Sequence, residues 1–278
     1  MALGIKTFTL LIREVRLWLV LSKPRSSFQQ TLCVGFASGL LHTFLPGRGG
    51  DLAALLMLKK YCKRSAAESA YAVGICSFFE IFVFGVLLLF YLLIDQSLWR
   101  DTLGDQLMNQ SINSTLLILF GSLIFVVIAM MIGRRVIPRA EEEEQSFSII
   151  AFLKDCFQHT HKGLSSKNTL LIQLFASLLE VYLMLYSFAL GLQALGIETA
   201  LPLSMSALVL AFASLAAILL PPSYGAGPAA AIAFVFALFH LSETEALAYS
   251  SIWWIISQVP PTITGIPAFW LLKKPKTE

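Results

Sequence analysis

Arg48 and Asp51 are the pair in this chain best placed to do chemistry. They stand in Pro46-Gly47-Arg48-Gly49-Gly50-Asp51, between two stretches, 26–47 and 52–58, that hold no Asp, Glu, Lys or Arg. A guanidinium beside backbone amides that glycine leaves open can receive a phosphate or carboxylate through paired hydrogen bonds. A short helix opening at Asp51 would aim its positive end at the same point, and Asp51 could cap it. Two other readings stand beside this one. Arg48 and Asp51 could simply neutralise each other, or the turn could lie at the headgroup level with Arg48 reaching for water.

A second turn, Pro222-Ser223-Tyr224-Gly225-Ala226-Gly227, carries no formal charge. Tyr224 takes the place of Arg48, and its hydroxyl could bond a ligand or a neighbouring helix end. The candidate binding set is therefore Arg48, Gly49, Gly50, Asp51, Tyr224 and Gly225. Glu80 and Glu180 are single acids inside long apolar stretches, where a carboxylate is costly unless paired or wet. Either could partner Arg48, carry a proton in coupled transport, or sit in a structural ion pair. His42, four residues before Pro46, is a satisfied core histidine or a titrating group. Glu80, Glu180 and His42 form the candidate charge-balancing or proton-coupling set. No nucleophile motif, phosphate-binding loop or metal-ligand spacing occurs, so no catalytic residue, metal or cofactor is expected.

Those residues need elements to position them, and composition says which kind. The chain is 57% hydrophobic and 13% charged, with mean hydropathy +0.75. Soluble domains carry about 25% charged residues, so this composition describes a polytopic membrane protein. Apolar stretches fall at 26–47, 52–58, 69–94, 106–133, 168–197 and 246–272, with 199–242 long enough for about two crossings and divided by the second turn. Residues 1–21 carry Arg13, Glu14 and Arg16 within an apolar run and have no cleavage site of small residues.

The two turns recur in matching surroundings. Pro46 and Pro222 stand 176 residues apart, and at that offset Gly49 meets Gly225 and Phe36-Ala37-Ser38 meets Phe212-Ala213-Ser214. Loop charge then assigns sides. Lys59, Lys60, Lys63 and Arg64, the basic residues of 134–167, and the lysines of the C-terminal tail read as cytoplasmic. The sparse loops 95–105 and 198–199 read as external. One broken element thus begins and ends on the cytoplasmic side and the other on the external side. The fold expected is an all-α, polytopic transmembrane bundle of two inverted repeats, each with a Pro/Gly-broken re-entrant hairpin. It forms a single membrane domain: a first repeat over 1–136, a polar connector over 137–167 and a second repeat over 168–278. The connector is solvated or forms an interfacial amphipathic helix.

The pattern resembles the lysylphosphatidylglycerol synthase transmembrane, or flippase-like, family of bacterial integral membrane proteins. Pro46-Gly47-Arg48-Gly49-Gly50-Asp51 is similar to its Pro-x-Arg-x-Gly-Glu signature, with Asp for Glu. Arg13-Glu14-Val15-Arg16-Leu17-Trp18 looks like its preceding Arg-rich helix, and 222–227 resembles its second Pro/Gly turn. The chain departs from the family where Ala53-Ala54 stands for an Arg, where Ala229-Ala230-Ala231 stands for a Glu, and in beginning after an extra N-terminal span. The resemblance implies handling of phospholipids or lipid-linked intermediates in a bacterial inner membrane, with the C-terminus cytoplasmic by the charge count. The leading expectation is a transporter of such a lipid with an anionic headgroup. The alternatives are a non-catalytic membrane subunit presenting lipid to a partner synthase or glycosyltransferase, and a lipid-headgroup enzyme. No nucleic-acid partner is expected.

Overall fold

The computed structural model describes residues 1–21, 27–45, 49–94, 167–197, 202–219 and 226–273. The cores of both turns, the stretch 106–133 and the connector lie outside the described residues, and with them Arg48, Tyr224 and Gly225.

Every described element is an α-helix: α1 Ala2–Val20, α2 Phe28–Phe44, α3 Gly49–Tyr61, α4 Ala66–Ile94, α5 Lys167–Ala194, α6 Pro202–Leu219, α7 Ala226–Leu238 and α8 Glu243–Lys273. Helices are what apolar sequence must form where lipid offers no partner to a backbone amide. Three of them, over Ala66–Tyr91, Asn168–Ala194 and Glu243–Lys273, are long and apolar enough to cross a membrane. α3 and α7 have 13 residues each. At about 1.5 Å per residue they span roughly 20 Å, short of a hydrocarbon core of about 30 Å.

Each short helix closes on a joint of the same construction. After α3 the chain turns through Lys63 in the left-handed region (φ 52°), and Ser65 then caps α4 by accepting the Glu68 N–H at 3.0 Å. After α7 it turns through His240 (φ 56°), and Ser242 caps α8 by accepting the Glu245 N–H at 3.2 Å. The Glu245 carboxylate returns to the Ser242 N–H at 2.8 Å, completing a capping box. Lys63, Ser65 and Glu68 each recur 177 residues on. That is one residue more than the spacing of the turn motifs, because the caps rather than the prolines fix where these helices begin.

Neighbour relations follow the same period. α1 packs on α2 and α4 as α5 packs on α6 and α8; α2 packs on α3, and α3 on α4, as α6 packs on α7, and α7 on α8. Between the halves α1 meets α5, α4 meets α5 as α8 meets α1, and α2 meets α8 as α6 meets α4. One apolar cluster fills the first half around Val34, Leu58, Ala72 and Phe79, and another fills the second around Met205, Ile232, Phe236 and Tyr249. A third, with Val83, Val181, Leu185 and Ala207, joins α4, α5 and α6. Large apolar side chains left outside, Phe175, Phe90 and Trp270 among them, suit a lipid surround.

Candidate functional site

α1 is the least apolar of the long segments, and its charges face inward. Arg16 is 1% exposed at its side chain, and its guanidinium is satisfied on three sides. One nitrogen forms an ion pair with Glu180 of α5, Nε donates to Gln173 Oε1 at 3.2 Å, and the remaining nitrogen donates to the Cys76 carbonyl of α4 at 2.8 Å. Gln173 in turn donates from Nε2 to the Arg16 carbonyl at 3.1 Å. Gln173 and Glu180 lie two turns apart on one face of α5, so both reach the same side of α1. The arrangement closes α1, α4 and α5 around one charge.

Three residues earlier the same helix carries an unfinished version. Arg13 Nε lies 3.6 Å from Glu14 Oε1, with the Glu14 side chain 2% exposed. Glu14 Oε2 is buried and has no hydrogen-bond partner among the described residues. This carboxyl lies against Gly35 of α2, where a Cβ would overlap it. Gly35 is therefore the position that lets α2 admit the carboxyl.

Arg13 and Glu14 line a cavity of about 130 Å³. Leu17 completes the α1 wall; α2 adds Ser38 and His42, α3 adds Asp51 and Ala54, and α4 adds Val73, Cys76, Ser77 and Glu80. His42 Nε2 lies 3.0 Å from Asp51 Oδ1. Gly50 makes that contact possible, since a Cβ there would strike the His42 ring. Asp51 lies inside the first turn of α3 and is not its cap, because the helix already runs from Gly49. Its carboxylate faces an imidazole across the hairpin.

Of the sequence candidates, then, His42, Asp51 and Glu80 meet at one cavity, beside the α3 turn that holds Gly49 and Gly50. Glu180 does not line it; Arg16 takes that carboxylate at the α1–α5 interface. Arg48, Tyr224 and Gly225 fall outside the described residues. Arg13, Glu14 and Arg16 went unchosen on chemical grounds, although a signal was there: three charges in four residues of an apolar run demand partners. The lining can bind a polar group and move protons, and it sets three carboxylates against one guanidinium and one imidazole. Among the described residues no group of His, Cys, Asp and Glu is arranged to hold a metal ion.

An all-helical bundle with apolar outer faces and a charged cavity between its helices defines a polytopic membrane protein. The chain belongs to the lysylphosphatidylglycerol synthase transmembrane-region family, whose model matches residues 1–265. Membership makes it a membrane protein of lipid metabolism or transport. No curated protein and no solved structure matches it significantly.

Proposed function

We propose that the protein moves a phospholipid or lipid-linked intermediate with an anionic headgroup across the inner membrane of a bacterium. The observation that carries this reading is the cavity of Arg13, Glu14, His42, Asp51 and Glu80, built among apolar-faced helices in a chain of this family. The headgroup would enter beside the first turn, where Arg48 follows Pro46-Gly47 and α3 opens with the free amides of Gly49 and Gly50. Tyr224 and Gly225 would serve the matching turn of the second half.

Two inverted repeats, each with a re-entrant hairpin, are the architecture that fits this role. Their support is the capped joint that recurs after 177 residues, the equal lengths of α3 and α7, and the neighbour relations common to the two halves. The inversion itself rests on loop charge, which also puts the C-terminus in the cytoplasm. Cysteines introduced singly at positions 47 and 225 are expected to react with a membrane-impermeant thiol reagent from opposite sides. Labelling of both from one side only would remove the inversion.

Transport is tested in liposomes holding the purified chain and fluorescent phosphatidylglycerol. The wild type is expected to bring labelled lipid within reach of an external quencher faster than protein-free vesicles do. Arg48→Ala and Arg13→Ala should each slow this at least tenfold while remaining monodisperse in detergent. Wild-type rates equal to those of empty vesicles end the proposal. A second reading takes support from the family description, which is of the membrane region of a synthase. The chain would then present lipid to a partner enzyme docked on the connector, and such an enzyme would co-purify until residues 141–144 are deleted.

A further inference from the structure

α1 carries two Arg–Glu pairs with opposite degrees of completion. Arg16 and Glu180 are enclosed by Gln173 and the Cys76 carbonyl, which leaves them no reason to change charge. Glu14 is as deeply buried as Glu180, yet one of its oxygens has no partner among the described residues and the other is held at 3.6 Å by Arg13 alone. As a carboxylate it leaves an acceptor unmet; as a carboxylic acid it leaves a donor unmet. A buried group poorly served in both states is suited to alternate between them when the cavity beside it changes occupancy.

The surroundings decide what favours each state. On α1 itself the charged groups near Glu14 are Arg13 and Arg16; α5 brings Glu180. Across the cavity α4 brings Glu80 and Cys76, α2 brings His42 and α3 brings Asp51, while α8 adds no lining side chain. Glu80 makes no ion pair among the described residues, although Lys6, Arg13 and Glu180 lie within its electrostatic reach. An anionic headgroup entering a space lined by three carboxylates raises their mutual repulsion, and taking up a proton relieves it.

We propose that this cavity is a proton-exchange site, with Glu14 as the carboxyl that takes up and releases the proton and Glu80 as the second carboxyl of the site. Its use, carrying a proton with each anionic headgroup, rests on the transport reading above.

The proton site is tested without transport, by infrared difference spectra of the reconstituted full chain as pH is stepped. A protonated-carboxyl band is expected to grow as pH falls, to vanish in Glu14→Gln, to return at a shifted frequency in Glu14→Asp, and to persist in Glu180→Gln. No titrating carboxyl band in the wild type, or one that survives Glu14→Gln in folded protein, overturns the proposal. The coupling is read in the liposomes with fluorescent phosphatidylglycerol. An imposed pH gradient should change the wild-type rate severalfold, and a protonophore should cancel the change. Lipid movement indifferent to the gradient overturns the coupling. A titrating Glu14 band in vesicles that move no lipid sinks the transport reading and leaves the proton site standing.

Discussion

Arg16→Met is expected to destabilise the protein by about 3–5 kcal/mol, because it strands the Glu180 carboxylate among apolar helices with its guanidinium gone. In detergent this should lower the thermal midpoint by on the order of 10 °C. The pair is closed on all sides: Gln173 and the Cys76 carbonyl hold the guanidinium, and little water reaches either partner. Removing one charge therefore costs far more than removing both. The double variant Arg16→Met/Glu180→Met should recover most of the loss, since apolar side chains of similar volume replace a buried pair at little net cost. A double variant as unstable as the single one would mean that Arg16 holds α1 through Gln173 and Cys76 rather than through Glu180. The same comparison separates the two pairs of α1. Arg13 lies at the cavity with its side chain 28% exposed, so Arg13→Met should cost well under half as much in thermal stability as Arg16→Met.

The second large effect is expected at Gly265, where α8 crosses α2. A Cβ there would overlap the side chain of Leu40 and stand 2.7 Å from the Phe36 carbonyl oxygen. Backbone cannot step aside as a flexible side-chain tip can, so Gly265→Ala must push the two helices apart, at about 1–3 kcal/mol. α2–α8 is a contact between the halves of the bundle, so the damage should appear as an earlier melt and as faster proteolysis between α7 and α8. Gly74 supplies the control: nothing lies within 4 Å of a Cβ placed on it. Gly74→Ala should hold or raise the melting point, since alanine favours a helix over glycine by roughly 0.5–1 kcal/mol. Equal losses from both substitutions would assign the effect to the helices themselves rather than to their crossing.

Much of the fold was legible because hydropathy is a local property. The stretches at 69–94, 168–197 and 246–272 became α4, α5 and α8 with ends within a few residues, and the divided stretch 199–242 became α6 and α7. The recurrence of the two halves was visible in their turns. The joints that repeat most closely, Lys63 to Glu68 and His240 to Glu245, share only Ser65 with Ser242 and Glu68 with Glu245, and a left-handed backbone angle leaves no mark on a lysine. The site was legible in part. His42, Asp51 and Glu80 attract notice as polar residues in apolar surroundings, and they do converge. What no local pattern supplied was which charge meets which. Glu180 lies 164 residues from Arg16, and nothing in the neighbourhood of either names the other. The interior role of α1 was hidden because its charges resemble the polar face of a surface helix until the packing is known.

That long separation bears on how the chain is made. Arg16 emerges early, and its carboxylate partner follows 164 residues later. At about 5–20 residues per second, synthesis leaves the guanidinium without Glu180 and Gln173 for on the order of 10–30 s. During that interval water and lipid phosphates are its alternatives, so α1 rests at the membrane surface while α2, α3 and α4 are completed. The first helix translated is in this way among the last to find its place, and the arrival of α5 draws it in.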